Sequence, residues 1–232
     1  MSTLKLSNVE VAINGSHILQ GVSFTAQENK VTALLGRNGV GKSTTIKSIL
    51  GIYPSTGVIE FDGQIISGMP TYKIVKSGIA YVPEDREVFA GLTVRENLDL
   101  AARGDNANWG LIYDLFPELQ QRASQRAGTL SGGQQQMVAL SRALINENKI
   151  ILVDEPTKGL APKLVTEVAD ALARVAGHST MLIVEQNLAL VKRIAENIVV
   201  MDQGRVVFEG SAESLHDEAF VQKMLGVSGG RH

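Results

Sequence analysis

The chain has 232 residues, of which 44% are hydrophobic; this is enough to bury a sizeable core and argues against long disordered regions. Its 22 Lys and Arg residues and 24 Asp and Glu residues leave a net charge of −2, so we expect no broad basic surface and no nucleic-acid partner. Cysteine is absent, which excludes disulfide bonds, thiolate metal sites and cysteine nucleophiles.

The N-terminal residues MSTLKLSNVEV alternate polar and apolar positions, unlike a secretory signal, so we expect a cytoplasmic protein. A membrane-spanning helix needs about 20 consecutive apolar residues. The apolar runs of this chain, such as residues 150–153, have only the length of a strand. Any association with a membrane is therefore expected to go through partner proteins.

The N-terminal part of the chain is predicted to form antiparallel strands. Polar and apolar residues alternate over residues 4–13, the turn pair Asn14-Gly15 follows, and a second run of this kind lies around residues 22–25. The pair Asp62-Gly63 predicts a further hairpin.

A strand, a glycine-rich loop and a helix are predicted in sequence between these hairpins. Residues 30–35 form the strand, and residues 43–50 form the helix. Ile46 and Ile49 lie on one face of that helix, and Gly51 ends it.

The middle of the chain, about residues 93–148, is predicted to be almost entirely helical, because Thr93 and Glu96 have the spacing of a capping box and apolar residues then recur at helical spacing. After residue 150, strands and helices alternate. We predict strands at 150–153, 181–184, 198–201 and 206–209, and helices at 162–175 and 188–196. This alternation predicts an α/β fold with a parallel sheet covered by helices.

The glycine-rich loop matches the phosphate-binding pattern G-x-x-x-x-G-K-[ST]. Its residues are Gly36, Arg37, Asn38, Gly39, Val40, Gly41, Lys42 and Ser43. Small residues let backbone N–H groups converge on phosphates, and the following helix adds the positive end of its dipole. We expect Lys42 to reach the β- and γ-phosphates of a nucleotide and Ser43 to offer its hydroxyl to Mg²⁺. A flexible glycine turn with a surface lysine is the alternative, which the flanking strand and helix disfavour.

Two carboxylates follow the predicted strand at residues 150–153. Asp154 suits a Mg²⁺-holding role through water, and Glu155 suits a base that orients the attacking water. Acids at a strand end are by themselves more often only solvated, so this assignment depends on the phosphate loop upstream.

The segment LSGGQQQ at residues 130–136 precedes another predicted helix. Ser131 and Gln134 have capping-box spacing, which permits an ordinary helix start. Gly132 and Gly133 favour a second use, because they leave bare N–H groups at a helix N-terminus, where anions bind.

Together, the loop at residues 36–44, LSGGQQQ and ILVDEP at residues 151–156 resemble the ATP-binding-cassette (ABC) ATPases in order and spacing. The resemblance implies an α/β P-loop NTPase with a mixed, largely parallel sheet, an N-terminal antiparallel β subdomain and an inserted helical subdomain. One cassette would cover residues 1–232. Its RecA-like core would take about 1–92 and 149–232, and its helical subdomain about 93–148.

The resemblance also implies ligands and partners. ATP and Mg²⁺ would bind between two ATPase subunits arranged head to tail, with Thr44 joining the phosphate loop. The second subunit would cover the nucleotide with its own Ser131, Gly132, Gly133 and Gln134. Two membrane permease subunits would be driven at the cytoplasmic face of the membrane, and an extracytoplasmic solute-binding protein would take part indirectly.

Within that family, the segments YVPEDR at residues 81–86, DEPTKGLAP at 154–162 and VEQN at 184–187 look like those of the ATPases of branched-chain amino-acid importers. The ATPases of urea and short-chain amide importers look similar and stay as the alternative. The segment at residues 87–92 would lie where a permease docks.

Three positions depart from the usual pattern of the family. Ile13 stands where most cassettes stack an aromatic residue on adenine, so weak discrimination for adenine is expected. Glu84 stands where a glutamine usually faces Mg²⁺ and the attacking water, and we keep it as a metal-facing and catalytic residue. Gln186 replaces a histidine that contacts the γ-phosphate, and it can donate a hydrogen bond but cannot take up a proton. We therefore expect this subunit to pair with a different ATPase, although a homodimer stays open.

Two other classes of function were weighed against transport. Soluble ABC ATPases that remodel nucleic acid usually carry a long coiled coil or two cassettes, and this chain has neither pattern. A small-molecule kinase would leave LSGGQQQ without a role. An ATPase subunit of an importer is therefore the predicted function.

Overall fold

The computed structural model describes residues 3–226, apart from the side chain of Asp105, and shows an α/β protein. Its strands are β1 (Leu4–Ile13), β2 (Ser16–Ala26), β3 (Val31–Leu35), β4 (Thr56–Phe61), β5 (Gln64–Ile65), β6 (Ile79–Val82), β7 (Ile150–Asp154), β8 (Thr180–Val184), β9 (Asn197–Asp202) and β10 (Arg205–Ser211). Its α-helices are α1 (Lys42–Ile49), α2 (Thr71–Lys76), α3 (Val94–Ala101), α4 (Trp109–Leu115), α5 (Pro117–Gln121), α6 (Gly132–Leu144), α7 (Pro162–Ala176), α8 (Leu188–Ile194) and α9 (Glu218–Leu225).

The larger sheet has six strands in the order β10-β9-β3-β8-β7-β6. The five strands from β9 to β6 are parallel, and β10 is antiparallel to β9. Because successive side chains of a strand face opposite sides of the sheet, β7 contributes to two separate cores. Ile151 and Val153 pack with α6 and α7, whereas Ile150 and Leu152 pack with α1 and the N-terminal strands. The prediction of a mixed, largely parallel sheet is confirmed.

The smaller sheet is antiparallel and has the order β2-β1-β4-β5. The turns at Asn14-Gly15 and Asp62-Gly63 join its hairpins as predicted, with positive φ at all four positions. The prediction for β2 was too short, because apolar and polar residues alternate clearly only over residues 22–25. The observed strand begins at Ser16, where cross-strand pairing with β1 supplies the hydrogen bonds that the local sequence does not signal.

Between β6 and β7 the chain is helical, with α3 to α6 and short 3-10 turns, as predicted. The capping box at Thr93 and Glu96 is present and starts α3. The division of the chain into a core and a helical subdomain remains a prediction, since the apolar core runs continuously from the parallel sheet into these helices.

Two elements were missed at the sequence level, namely α2 and β6. Both are short, and β6 becomes a strand by pairing in parallel with β7, from Ile79 opposite Ile150 to Val82 opposite Val153. The ends of the other predicted helices and of the strands after residue 150 agree with the structure to within two residues. Within residues 3–226, no helix combines the length and the apolar character that crossing a bilayer would require.

Asn97 fixes the loop between β6 and α3, which follows the strand end at Val82. Its side chain is fully buried; Oδ1 accepts a hydrogen bond from the Phe89 N–H, and Nδ2 donates to the carbonyl groups of Phe89 and Thr93. Few other groups tie this loop to the helix.

We expect Asn97→Ala to lower the free energy of unfolding by about 2–3 kcal/mol, because it leaves the Phe89 N–H without its acceptor, removes two further hydrogen bonds to backbone carbonyls and empties the space of a fully buried side chain. Urea unfolding followed by circular dichroism measures this change. Asn106→Ala, at an exposed position, is the control and should change stability by less than about 0.5 kcal/mol. Equal effects of the two substitutions would contradict this role of Asn97.

Candidate functional site

The carboxyl ends of four parallel strands meet at one edge of the larger sheet. The phosphate loop follows β3, Asp154 ends β7, and Glu185 follows β8; Glu84 comes shortly after β6. Ligands of open parallel sheets bind at this edge. The sheet therefore brings together polar residues from segments that are more than 30 positions apart in the sequence.

The phosphate loop is held against the sheet by close packing around two of its glycines. Gly36 has a φ of 144°, and a Cβ there would lie 2.3 Å from the Met201 carbonyl oxygen at the end of β9. Gly41 has a φ of 105°, and a Cβ there would lie 2.6 Å from the Leu19 side chain. These two positions require glycine, both for conformation and for space.

Lys42 is 4% exposed and crosses the loop from within. Its ammonium group donates to the carbonyl oxygens of Gly36 and Arg37 at 2.8 and 2.9 Å. Burial lowers the pKa of Lys42, and the nearby carboxylates of Glu155 and Asp154 partly oppose that effect. The loop thus holds a desolvated positive charge at its centre.

A cavity of about 680 Å³ opens in front of the loop and α1. No side chain caps the N-terminus of α1, which begins directly after Gly41. The cavity is lined by Ile13, Asn14, Ser16, Ile18, Asn38, Gly39, Gly41, Lys42, Ser43, Thr44, Glu84, Glu155 and Lys158. It therefore combines a helix N-terminus and lysines for an anion with apolar atoms at the end of β1.

Two of the predicted loop residues, Arg37 and Val40, do not line this cavity. Val40 is buried in the core beside α1, and the Arg37 guanidinium lies beside Gly226 at the end of α9. The side chain of Arg37 borders a different cavity, of about 240 Å³, between the loop and α8. Their expected role in binding through backbone N–H groups remains a prediction.

Asp154 and Ser43 meet at the base of the cavity. The Ser43 hydroxyl donates to Asp154 Oδ1 at 2.9 Å, and Asp154 is 1% exposed. Burial raises the pKa of Asp154 to about 6, the hydrogen bond from Ser43 opposes this, and Glu84 and Glu155 add to it. Oδ2 is buried and has no hydrogen-bond partner among the described residues.

Glu155 lies next to this pair in a strained backbone conformation, with a φ of 44°. The Gln186 amide donates to Glu155 Oε1 at 2.6 Å, and the Lys158 ammonium lies 3.8 Å from Glu155 Oε2. The carboxylate is 9% exposed by side chain, so it faces the cavity between these two contacts.

Glu84 is tied to the same lysine. Lys158 donates a hydrogen bond to Glu84 Oε1, and this contact raises the pKa of Lys158. Lys158 belongs to the segment DEPTKGLAP, but the sequence alone predicts no role for it. Only the fold shows that Lys158 faces Glu84, which is 74 positions away.

Glu185 is a second residue that sequence analysis missed. It is 3% exposed, and its carboxylate accepts hydrogen bonds from the Thr157 hydroxyl and from the backbone N–H groups of Gln186 and Asn187. Burial raises its pKa, although these hydrogen bonds oppose the change. An acid directly after the apolar run of β8 was the available signal. Glu185 fixes the segment after β7 to the segment after β8.

The residues at the start of α6 do not line the cavity of their own chain. Ser131 and Gln134 form a reciprocal capping box, and the Gln134 amide also donates to Glu118. The two glycines between them pack closely. A Cβ on Gly132 would lie 2.8 Å from the Arg86 guanidinium, and one on Gly133 would lie 2.1 Å from the Leu164 side chain. Gln134 therefore has a structural role within its own chain, as expected if this segment is in part an ordinary helix start.

Comparison with known proteins was made for both sequence and fold. The ABC transporter family matches residues 19–158. The probable branched-chain amino acid transport ATP-binding protein LivF of Archaeoglobus fulgidus is 38% identical over 222 residues, covering 91% of this chain and 93% of the relative. The high-affinity branched-chain amino acid transport ATP-binding protein BraG of Pseudomonas aeruginosa is 36% identical over 204 residues, covering 85% and 88%.

Solved structures agree with these relatives. A nucleotide-free ATP-binding cassette from an ABC transporter superposes with a TM-score of 0.81 at 26% identity, covering 98% of this chain and 96% of that one. The fold is therefore that of the ABC ATPase cassettes, as the sequence predicted. The family match contains the phosphate loop, the LSGGQQQ segment and the Asp154-Glu155 pair. The chain therefore belongs to the ABC transporter family.

Proposed function

We propose that this chain is the ATP-binding and ATP-hydrolysing subunit of an ABC importer, and that it energises uptake of branched-chain amino acids through a membrane permease. The observation that carries the ATPase assignment is the cavity in which Lys42, the free N-terminus of α1, the Ser43–Asp154 pair and Glu155 converge. The substrate class is supported by the similarity of this chain, over most of its length, to LivF and BraG, which are named as branched-chain amino acid transport ATP-binding proteins. Urea or short-chain amide uptake is the alternative.

Binding of the triphosphate would use positive groups that are already in place. Lys42 offers a desolvated ammonium group, and α1 offers uncapped backbone N–H groups together with its dipole. Asn38, Gly39, Gly41 and Thr44 line the same space. Lys42 would have to exchange one or both loop carbonyls for phosphate oxygens.

The oxygen atoms around Asp154 fit a Mg²⁺ ion. Asp154 Oδ2 is buried and unpaired, the Ser43 hydroxyl is adjacent, and Glu84 lines the same cavity. Mg²⁺ prefers oxygen ligands and usually completes its shell with water and substrate phosphates. When bound, it would neutralise charge on the phosphates. Ser43 would serve as a direct ligand, and Asp154 and Glu84 would hold the ion directly or through water.

Hydrolysis would depend on Glu155 as the group that orients and polarises the attacking water. Gln186 donates to Glu155 Oε1, so it positions the carboxylate and can donate to a phosphate oxygen once that contact is released. Because an amide does not take up a proton at neutral pH, proton transfer would fall to Glu155.

The second half of the site would come from another subunit. Ser131, Gly132 and Gly133 lie outside the cavity of their own chain, yet they form a glycine-rich helix start of the kind that binds anions. We therefore propose that they cover the nucleotide of a partner ATPase. Gln134 would support that surface through its capping box.

The partner ATPase is proposed to be a different chain, with a homodimer as the alternative. Ile13 lines the cavity where an aromatic residue would stack on adenine, and Glu84 and Gln186 replace the usual glutamine and histidine. A partner with the usual residues would give two unequal sites. Weak discrimination between adenine and other bases remains a proposal for this chain.

A permease would dock beside α3 and the loop before it, on the cytoplasmic face of the membrane. Phe89 is 48% exposed, and the Arg142 guanidinium lies 4.8 Å from the centre of its ring. A neighbouring cavity of about 420 Å³ is lined by apolar side chains and by charged and polar ones, among them Arg86, Glu87 and Arg142. This surface is continuous with Glu84, so a movement of the docked permease would reach the nucleotide site. That continuity supports the proposed docking surface. An extracytoplasmic solute-binding protein would supply the solute to the permease.

Uptake of labelled leucine and labelled urea in a strain lacking the gene tests the proposed function. We expect the wild-type chain to restore leucine uptake and Glu155→Gln to fail, with urea uptake unaffected throughout. Glu147→Gln replaces an exposed acid outside the site and is the control that should restore uptake. Restored urea uptake with unchanged leucine uptake would favour the alternative and contradict the main proposal.

Glu155→Gln is also expected to stabilise a nucleotide-bound dimer. Hydrolysis should fall by about 10²- to 10⁴-fold because the base is lost, while the phosphate loop stays intact. Size-exclusion chromatography with light scattering should then show a dimer in MgATP, either of this chain alone or with its cognate subunit. A variant that stays monomeric under both conditions would contradict the two-subunit site.

Asp154→Asn is expected to stabilise the ligand-free chain at pH 7.5, by about 1–3 kcal/mol. The folded-state pKa of Asp154 is about 6 and its ordinary value is 3.8, so the ionised carboxylate disfavours the folded state at neutral pH. As the pH falls below 6, Asp154 of the folded chain takes up a proton while that of the unfolded chain stays ionised, so this cost decreases steadily towards pH 3.8. The stability difference should therefore shrink between pH 7.5 and pH 5.

Thermal unfolding in EDTA without nucleotide measures this difference. Asp114→Asn, at an exposed position, is the matched control and should leave stability nearly unchanged at both pH values. A gap between wild type and Asp154→Asn that is constant from pH 7.5 to pH 5 would refute the effect of burial.

A further inference from the structure

Lys158 occupies a position between two acids that the proposed reaction needs. It follows the Asp154-Glu155 pair in the turn after β7, and its backbone N–H donates to the Glu155 carbonyl at 3.1 Å. Its ammonium group hydrogen-bonds Glu84 and lies 3.8 Å from Glu155 Oε2. Lys158 also lines the cavity in which the nucleotide and metal are proposed to bind.

We propose that Lys158 is a positioning residue that takes the place of the metal ion at Glu84 while no nucleotide is bound, and that it releases Glu84 when Mg²⁺ enters. The inference rests on the proposed function of Glu84 as a metal-facing residue. It adds a competition between the Lys158 ammonium group and the metal ion for Glu84. It also assigns a function to Lys158, which the phosphate loop does not require.

Charge balance supports this role. Glu84 and Glu155 line one cavity, the buried Asp154 accepts a hydrogen bond from Ser43 of the same cavity, and the Lys42 ammonium group is bound to the loop carbonyls. Without nucleotide, Lys158 is the positive side chain that contacts both Glu84 and Glu155. The Lys158 ammonium group occupies Glu84 Oε1, so a Mg²⁺ ion that takes this oxygen must displace the lysine.

The exposure of the pair makes such an exchange feasible. The Lys158 side chain is 58% exposed and that of Glu84 is 32% exposed. Ion pairs of this kind are weak because water solvates both partners, so the lysine can leave at little cost. The contact to Glu155 is longer, and Gln186 holds the other oxygen of that carboxylate. Release of Lys158 would thus free Glu84 and loosen one side of Glu155 in a single movement.

The test is a titration with Mg²⁺ that reports nucleotide binding and not hydrolysis. The full chain is kept in excess over a low, fixed concentration of a fluorescent trinitrophenyl-ATP, and the Mg²⁺ concentration at half-maximal fluorescence is measured. We expect Lys158→Met to lower this midpoint about two- to fivefold, which corresponds to the usual strength of an exposed ion pair. Lys158→Arg should keep the wild-type midpoint.

Two further variants separate competition at Glu84 from a general effect of charge. Lys163→Met removes one charge from an 89% exposed lysine at the start of α7, and it should leave the midpoint unchanged. In a Glu84→Gln background, Lys158→Met should lose most of its effect, because the carboxylate for which lysine and metal compete is gone.

The outcomes distinguish this inference from the proposed function beneath it. If Glu84→Gln shifts the Mg²⁺ midpoint but Lys158→Met leaves it unchanged or raises it, the role of Lys158 is wrong and Glu84 keeps its assignment. A shift of equal size for Lys158→Met in both backgrounds also overturns the inference. If Glu84→Gln itself has no effect, the metal-facing role of Glu84 fails, and the inference fails with it.

Discussion

Parallel strands that are buried on both faces can offer polar groups to a ligand only beyond their ends, and this constraint arranges the whole site. β3, β8, β7 and β6 pair in parallel, so the phosphate loop, Asp154, Glu185 and Glu84 all follow strand ends at the same edge. The apolar side chains within the strands cannot contribute to the site, because they pack into the core on one face of the sheet or the other.

Several acids gather at this edge of the sheet. Glu84 and Glu155 line one cavity, the buried Asp154 accepts a hydrogen bond from Ser43 of the same cavity, and burial raises the pKa of Asp154. Lys42 and Lys158 offset part of this negative charge, one from within the loop and one from the turn after β7. Binding of nucleotide and metal would rearrange these contacts.

Motifs that act through the backbone were the part of the site that the sequence could predict. The phosphate loop needs glycines at fixed spacing, and the Asp154-Glu155 pair directly follows an apolar run, so both can be found without a structure. The parallel sheet was predictable for the same reason, since alternating strands and helices leave few other arrangements.

Contacts between distant segments could not be predicted in this way. Lys158 and Glu84 are far apart in the sequence, and neither position alone indicates a partner. The hydrogen bond from the Gln134 amide to Glu118 likewise depends on how α5 and α6 pack, whereas the capping box of Gln134 with Ser131 was predicted from their spacing. The strand β6 has only four residues and is specified by pairing with β7 more than by its own pattern.

The backbone of Glu155 has a consequence for how this position is maintained. A φ of 44° places a non-glycine residue in the left-handed region, which glycine and asparagine adopt more easily. Its neighbour Asp154 is also unfavourable for folding, as its raised pKa indicates. Selection for a durable fold alone would replace both residues with neutral ones. At these two adjacent positions, the requirements of catalysis therefore prevail over those of stability. In laboratory evolution for heat resistance, we expect early substitutions at these positions, and the resulting proteins would be inactive.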